Sequence, residues 1–85
     1  MARIEVYTTP SCGYCVRAKR LLQERGLAYE EFDVAIDDEL RESVMQRSGR
    51  RTVPQIFIDG KSIGGYEELA DLDASGELAT LTQAG

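Results

Sequence analysis

Cys12 and Cys15 are the only cysteines in the chain, and they sit in the stretch Thr8-Thr9-Pro10-Ser11-Cys12-Gly13-Tyr14-Cys15-Val16. Three kinds of chemistry use that spacing. A zinc site needs two further Cys or His ligands, and the chain has no histidine and no third cysteine. A pair of small buried hydrophobes is the second reading, since cores accept free cysteine readily. A Thr-Thr-Pro-Ser turn leads into Cys12, however, and a helical pattern follows, which puts that side chain near the surface. The third is thiol–disulfide exchange. A cysteine that opens a helix meets unpaired backbone N–H groups and the positive end of the helix dipole, and both favour the thiolate that attacks a disulfide sulfur. A second cysteine one turn deeper can resolve the mixed disulfide or close an internal one. Cys-x-x-Cys at the mouth of a helix inside a βαβ pattern is the sequence signature of that chemistry.

Four further groups could serve such a centre. Thr52-Val53-Pro54 precedes a short apolar run, where proline either ends a loop or, as a cis peptide, leaves the Val53 N–H and C=O to pair with an extended thiol peptide. Gly64-Gly65-Tyr66-Glu67-Glu68 is a glycine turn feeding a helix. Its open N–H groups suit a carboxylate and its acids suit an amine, although acids there also complement the helix dipole without any ligand. Arg47, Arg50 and Arg51 follow the second helical pattern, as a solvated face with dipole partners or as a basic surface for an anion. Tyr14, between the cysteines, belongs in a groove beside Cys12 or in the core.

The elements that must position these groups follow from periodicity. Arg3–Tyr7 alternates polar and apolar residues as a strand. From Gly13 to Arg25 the period is helical, with Tyr14, Ala18, Leu21 and Leu22 on one face, and Gly26 is the C-cap candidate. Leu27–Val34 alternates again. Asp37 and Asp38 mark the start of a second helix that stops at Gly49. Gln55–Ile58 and Lys61–Gly64 flank Asp59-Gly60, a strong hairpin signal. Glu67–Leu72 and Ser75–Leu81 are helical and broken near Ser75-Gly76, and 82–85 should fray. The order β-α-β-α-β-β-α implies an α/β fold: a four-stranded mixed sheet flanked by helices, with Cys12 at the carboxyl end of a strand.

The 85 residues are expected to form a single domain, 1–85. A net charge of −5 argues against nucleic acid, whose phosphates call for a Lys/Arg surplus. The absence of histidine removes His-based metal sites and His general bases. No stretch is apolar for long enough to span a membrane as a helix. Two cysteines this close would staple almost nothing, and the first residues lack a leader pattern, so a reducing, cytoplasmic setting is expected.

Together these stretches resemble the glutaredoxin family, in its small bacterial dithiol form. The resemblance rests on Cys12-Gly13-Tyr14-Cys15-Val16-Arg17-Ala18-Lys19, Arg47-Ser48-Gly49, Arg51-Thr52-Val53-Pro54-Gln55-Ile56-Phe57-Ile58 and Ile63-Gly64-Gly65, in the family's order and spacing. It implies a minimal thioredoxin fold and a glutathione-dependent oxidoreductase acting on glutathionylated and disulfide-containing proteins. Cys12 would be the nucleophile and Cys15 the resolving thiol. Tyr14, Thr52, Val53 and a cis Pro54 would line the glutathione groove, Glu67 and Glu68 would meet the γ-glutamyl end, and Arg41 the glycine carboxylate. The family also implies a monomer, except where a 2Fe-2S cluster is shared by two protomers through the Cys12 thiolates and two glutathiones. Gly13 permits that arrangement, and proline, the commonest residue there, hinders it. A thioredoxin-like reductant served by a flavoprotein reductase is the rival activity; the Glu67-Glu68 pair and the Thr-Val-Pro segment favour glutathione. Two other positions depart from the family pattern. Thr9 stands where a lysine is common, which removes one cation, and Tyr66 stands where many members have a third cysteine.

Overall fold

In the computed structural model, which describes residues 2–82, β1 (Ile4–Thr8) runs parallel to β2 (Glu30–Asp33) and antiparallel to β3 (Gln55–Ile58). β4 (Lys61–Gly64) pairs antiparallel with β3, giving the order β2-β1-β3-β4. This is the expected four-stranded mixed sheet with helices on its faces. Alternate strand residues feed two cores, as the two-residue period of a strand requires. Ile4, Val6, Ile56 and Ile58 meet Ala18 and Leu22 of α1 (Gly13–Glu24), Leu69 of α3 (Tyr66–Ser75) and Leu78 of α4 (Glu77–Thr82). Tyr7 and Phe57 face the other way, against Val34 and against Val44 of α2 (Asp38–Ser48).

Local chemistry fixes the helix ends. The Asp37 carboxylate accepts the Leu40 N–H at 3.0 Å, and Gly49 closes α2 at φ 73°. At the end of α1 the Gly26 N–H bonds Gln23 O and the Leu27 N–H bonds Leu22 O, a Schellman closure. That closure corrects the expected strand over Leu27–Val34: Leu27 is committed to the helix end and only Glu30–Asp33 pairs with β1. In the hairpin Asp59 and Gly60 both take positive φ, 52° and 80°, the geometry that Asp-Gly favours. The C-terminal helices are longer than expected at Tyr66–Ser75 and divide at Gly76, φ 85°. Thr82 is the last residue of α4, and the rest of the expected fraying lies outside the described residues.

The buried stripe of α1 is Cys15, Ala18 and Leu22, whereas Tyr14 is 53% exposed. Tyr14 therefore belongs to the groove rather than the core. Arg47 is not a solvated dipole partner alone, because its guanidinium lies 4.3 Å from the Phe57 ring centroid and covers that side of the lower core.

Candidate active site

Cys12 is the N-cap of α1. Its backbone is extended, φ −98° and ψ 111°, and its Sγ accepts the Cys15 N–H at 3.1 Å. The cap position, normally held by an oxygen-bearing side chain, here carries a sulfur aimed at an orphan helix N–H. The thiol also donates to the Val53 carbonyl at 3.5 Å, so it touches the loop before β3 as well as its own helix. Cys12 is half-buried and within reach of a substrate, while Cys15 is only 1% exposed. Burial first, and then hydrogen bonding with Cys12, push the Cys15 thiol up to about 12, against a smaller opposing pull from the Thr9 backbone. Two cysteines one turn apart are thus unequal: one accessible and capping, one buried and protonated at neutral pH.

Beside Cys12 opens a cleft of about 330 Å³ lined by Tyr14, Thr52, Val53, Pro54, Tyr66 and Glu67, with Arg50, Gly65 and Glu68 at its charged end. The Val53–Pro54 peptide is cis, and no partner for the Val53 N–H is found among the described residues. Gln55 anchors the same loop from behind, its Nε2 donating to Thr52 O at 2.9 Å. Tyr14 and Tyr66 pack with ring centroids 6.1 Å apart, and Arg17 lies over the Tyr14 ring at 5.3 Å.

The two adjacent glutamates differ. Glu68 Oε1 accepts the Gly65 N–H at 2.7 Å and Arg50 Nη1 at 2.8 Å. The Gly65 N–H, followed by Arg50, holds its carboxyl below the usual carboxylate range. It supplies the N3 half of a capping box at the start of α3, reaching back to the N-cap N–H. Glu67 is exposed at the cleft and has no ion-pair partner among the described residues. The first-turn N–H groups of Tyr66 and Glu67 likewise have no partner among those residues, as helix starts leave them.

Six of the sequence-predicted groove residues, Tyr14, Thr52, Val53, Pro54, Glu67 and Glu68, therefore meet in one cleft next to Cys12. Arg41 does not join them; it lines a separate cavity of about 40 Å³ under Thr9, Arg51 and the far side of Val53. Arg50, read from sequence only as part of a solvated face or a basic surface for an anion, belongs to the cleft, as do Gly65 and Tyr66. Glu68 three residues after Gly65 is the half of a capping-box spacing that glycine leaves, and no local pattern announces that Arg50 meets it.

The glutaredoxin family model matches residues 4–63, which contain both cysteines, the cis proline, β1 to β3, most of β4, and the first two helices. The chain belongs to the glutaredoxin family. It is 48% identical over 81 residues to glutaredoxin 3 of Escherichia coli K12, covering 95% of this chain and 98% of that one. The solution structure of a glutaredoxin from Brucella melitensis superposes with a TM-score of 0.87 at 42% identity, over 98% of this chain and 90% of the other. A buckwheat glutaredoxin crystallised as its glutathione complex superposes equally well, TM-score 0.87 at 32% identity, over 93% and 74% of the two chains. The thioredoxin-type sheet of this glutaredoxin is thus the family's own, and an oxidoreductase role comes with the family.

Proposed function

We propose that the protein is a glutathione-dependent thiol–disulfide oxidoreductase that reduces glutathione mixed disulfides and protein disulfides. The observation that carries this reading is the cleft beside Cys12, whose groups match glutathione end to end. An extended cysteinyl backbone can pair with the Val53 N–H and C=O in the manner of strand addition. The γ-glutamyl carboxylate suits the open N–H groups of Tyr66 and Glu67 at the start of α3, and the γ-glutamyl amine suits the free carboxylate of Glu67. Tyr14 and Tyr66 supply the aromatic lining of the cleft. That the buckwheat relative was crystallised with glutathione supports the same assignment. Glu68 and Arg50 pair with each other and leave the amine to Glu67, and Arg41 is not among the residues that line this cleft.

In the reaction the Cys12 thiolate attacks the glutathione sulfur of a mixed disulfide. The bond to the protein sulfur breaks and the protein leaves as a thiolate. A second glutathione thiolate then attacks the glutathione sulfur on Cys12, giving glutathione disulfide and regenerating Cys12. With a protein disulfide, Cys15 closes on Cys12 instead, and two glutathiones restore the dithiol. A 2Fe-2S cluster needs four thiolates. The alternative reading therefore takes one Cys12 thiolate from each of two protomers and two glutathione thiolates, since one chain offers a single accessible thiol. Protein clients and the cytoplasmic setting belong to the same proposal. The test is glutathione-coupled reduction of a glutathionylated peptide and of an insulin disulfide. Cys12→Ser abolishes both activities, whereas Cys15→Ser keeps the first and loses most of the second. Substantial turnover by Cys12→Ser would sink the assignment.

A further inference from the structure

A second cavity, about 380 Å³, is lined by both cysteines of the reactive pair. Thr8, Thr9 and Val16 are among its walls, and its charged groups are Lys19 from α1 with Glu31 and Asp33 from β2. Lys19 lies one helical turn beyond Cys15, where side chains four residues apart meet. It is the only cation lining the cavity among the described residues. Its Nζ stands 2.9 Å from Glu31 Oε2, and the same oxygen accepts the Thr8 hydroxyl at 2.8 Å. The Lys19 side chain is only 27% exposed, so its charge is incompletely screened. The pairing holds Glu31 below the usual carboxylate range and Lys19 above the ordinary ammonium value, so both remain charged at neutral pH. Asp33 is occupied by the Ala35 N–H at 2.8 Å.

Closure of the internal disulfide makes a demand on this cavity. The Cys15 S–H bond breaks and its proton leaves to solvent. The sulfur's electron pair forms the bond to Cys12 Sγ, and the bond between Cys12 and the substrate sulfur breaks. The substrate departs as a thiolate, having served as the oxidant. Negative charge must therefore develop on a sulfur that is 1% exposed and whose thiol burial pushes up to about 12.

We propose that Lys19, fixed by Glu31 and Thr8, stabilises the charge developing on Cys15 Sγ and so sets the rate at which Cys15 closes on Cys12. Glu31 tempers that effect by holding part of the ammonium's field. The inference rests on the thiol–disulfide reading of the cysteine pair but not on glutathione as the reductant. Two charges of opposite sign give it a signature that a purely structural role lacks: neutralising Lys19 slows closure, and neutralising Glu31 speeds it.

The experiment mixes reduced protein with hydroxyethyl disulfide, quenches with acid, and follows by mass the conversion of the Cys12 adduct to the internal disulfide. Lys19→Gln is expected to slow closure about threefold, because raising the attacking thiol by one pKa unit cuts the thiolate about tenfold but makes it about threefold more nucleophilic. Lys19→Arg restores most of the rate and Glu31→Gln raises it. Closure at the wild-type rate in Lys19→Gln overturns the proposal, and so does a Glu31→Gln rate that falls in step with it. Thermal midpoints confirm that each variant is folded, and the Glu31→Gln arm decides the matter alone should Lys19→Gln not fold. Failure of the wild type to form any Cys12 adduct would instead refute the underlying thiol–disulfide reading.

Discussion

Glu68→Ala removes a carboxylate that caps α3 and pairs with Arg50, without touching the sulfur chemistry. The lost contact to the Gly65 N–H, 2.7 Å in the native protein, costs about 1 kcal/mol by analogy with helix-cap deletions. The Arg50 pair is 2.8 Å long but well exposed on both sides, so after solvent screening it adds about 0.5 kcal/mol at most. Together these amount to about 1.5 kcal/mol, a fall in Tm of roughly 6–12 °C for a domain of this size. The effect has a defined pH dependence. The Glu68 carboxyl is held below its ordinary value of 4.5 by the Gly65 N–H and Arg50. Its stabilisation is therefore fully present above that value and is lost as pH falls through the lower value of the folded protein. Thermal melts by far-UV circular dichroism should show the full gap between wild type and Glu68→Ala at pH 7, and the gap should shrink once the pH drops below about 4. Glu67→Ala, which breaks no contact in the native protein, should keep its Tm within about 2 °C of wild type. Equal midpoints for wild type and Glu68→Ala at pH 7, or an equal loss in Glu67→Ala, would refute the division of labour between the two acids.

Two glycines should respond oppositely. A Cβ at Gly13 would meet no atom within 4 Å, so Gly13→Ala stabilises α1 by about 0.5 kcal/mol through the smaller entropy of the unfolded chain, measurable by urea unfolding. Gly64 has φ +119°, and a Cβ there would fall 2.7 Å from Glu68 Oε1. Gly64→Ala should cost about 2 kcal/mol or more in the same assay and should also raise the KM for glutathione by displacing the capped end of the cleft.

How far the fold could be read from sequence depended on whether each signal was local. Asp37, Gly49 and Asp59-Gly60 work through neighbours a few residues away, and each marks its boundary correctly. Leu27 was misread because alternation with Tyr29 and Glu31 resembles a strand, while its N–H answers to Leu22. The reactive pair was legible for the same local reason, since helix start and spacing suffice. The cleft's charged end was not. Arg50 reaches Glu68 across eighteen residues of sequence, and nothing near either residue records that meeting. Arg41 lies on α2 and lines the cavity behind the loop before β3 together with Val44 and Met45, not the cleft itself. Helical periodicity alone could not separate those two outcomes.

The sheet order has a consequence for how the molecule behaves among its copies. Its two edges are β2 and β4, each only four residues long. β2 carries Glu30, Glu31 and Asp33, and β4 opens with the exposed Lys61 and Ser62. The strands richest in apolar residues, β1 and β3, are both interior. A neighbour pairing β2 with β2 would bring its own acidic edge against the same three carboxylates, and four residues of hydrogen bonding return little for that repulsion. The arrangement that sets Lys19 and Glu31 beside the reactive cysteines thus also protects the sheet from growing strand by strand into aggregates.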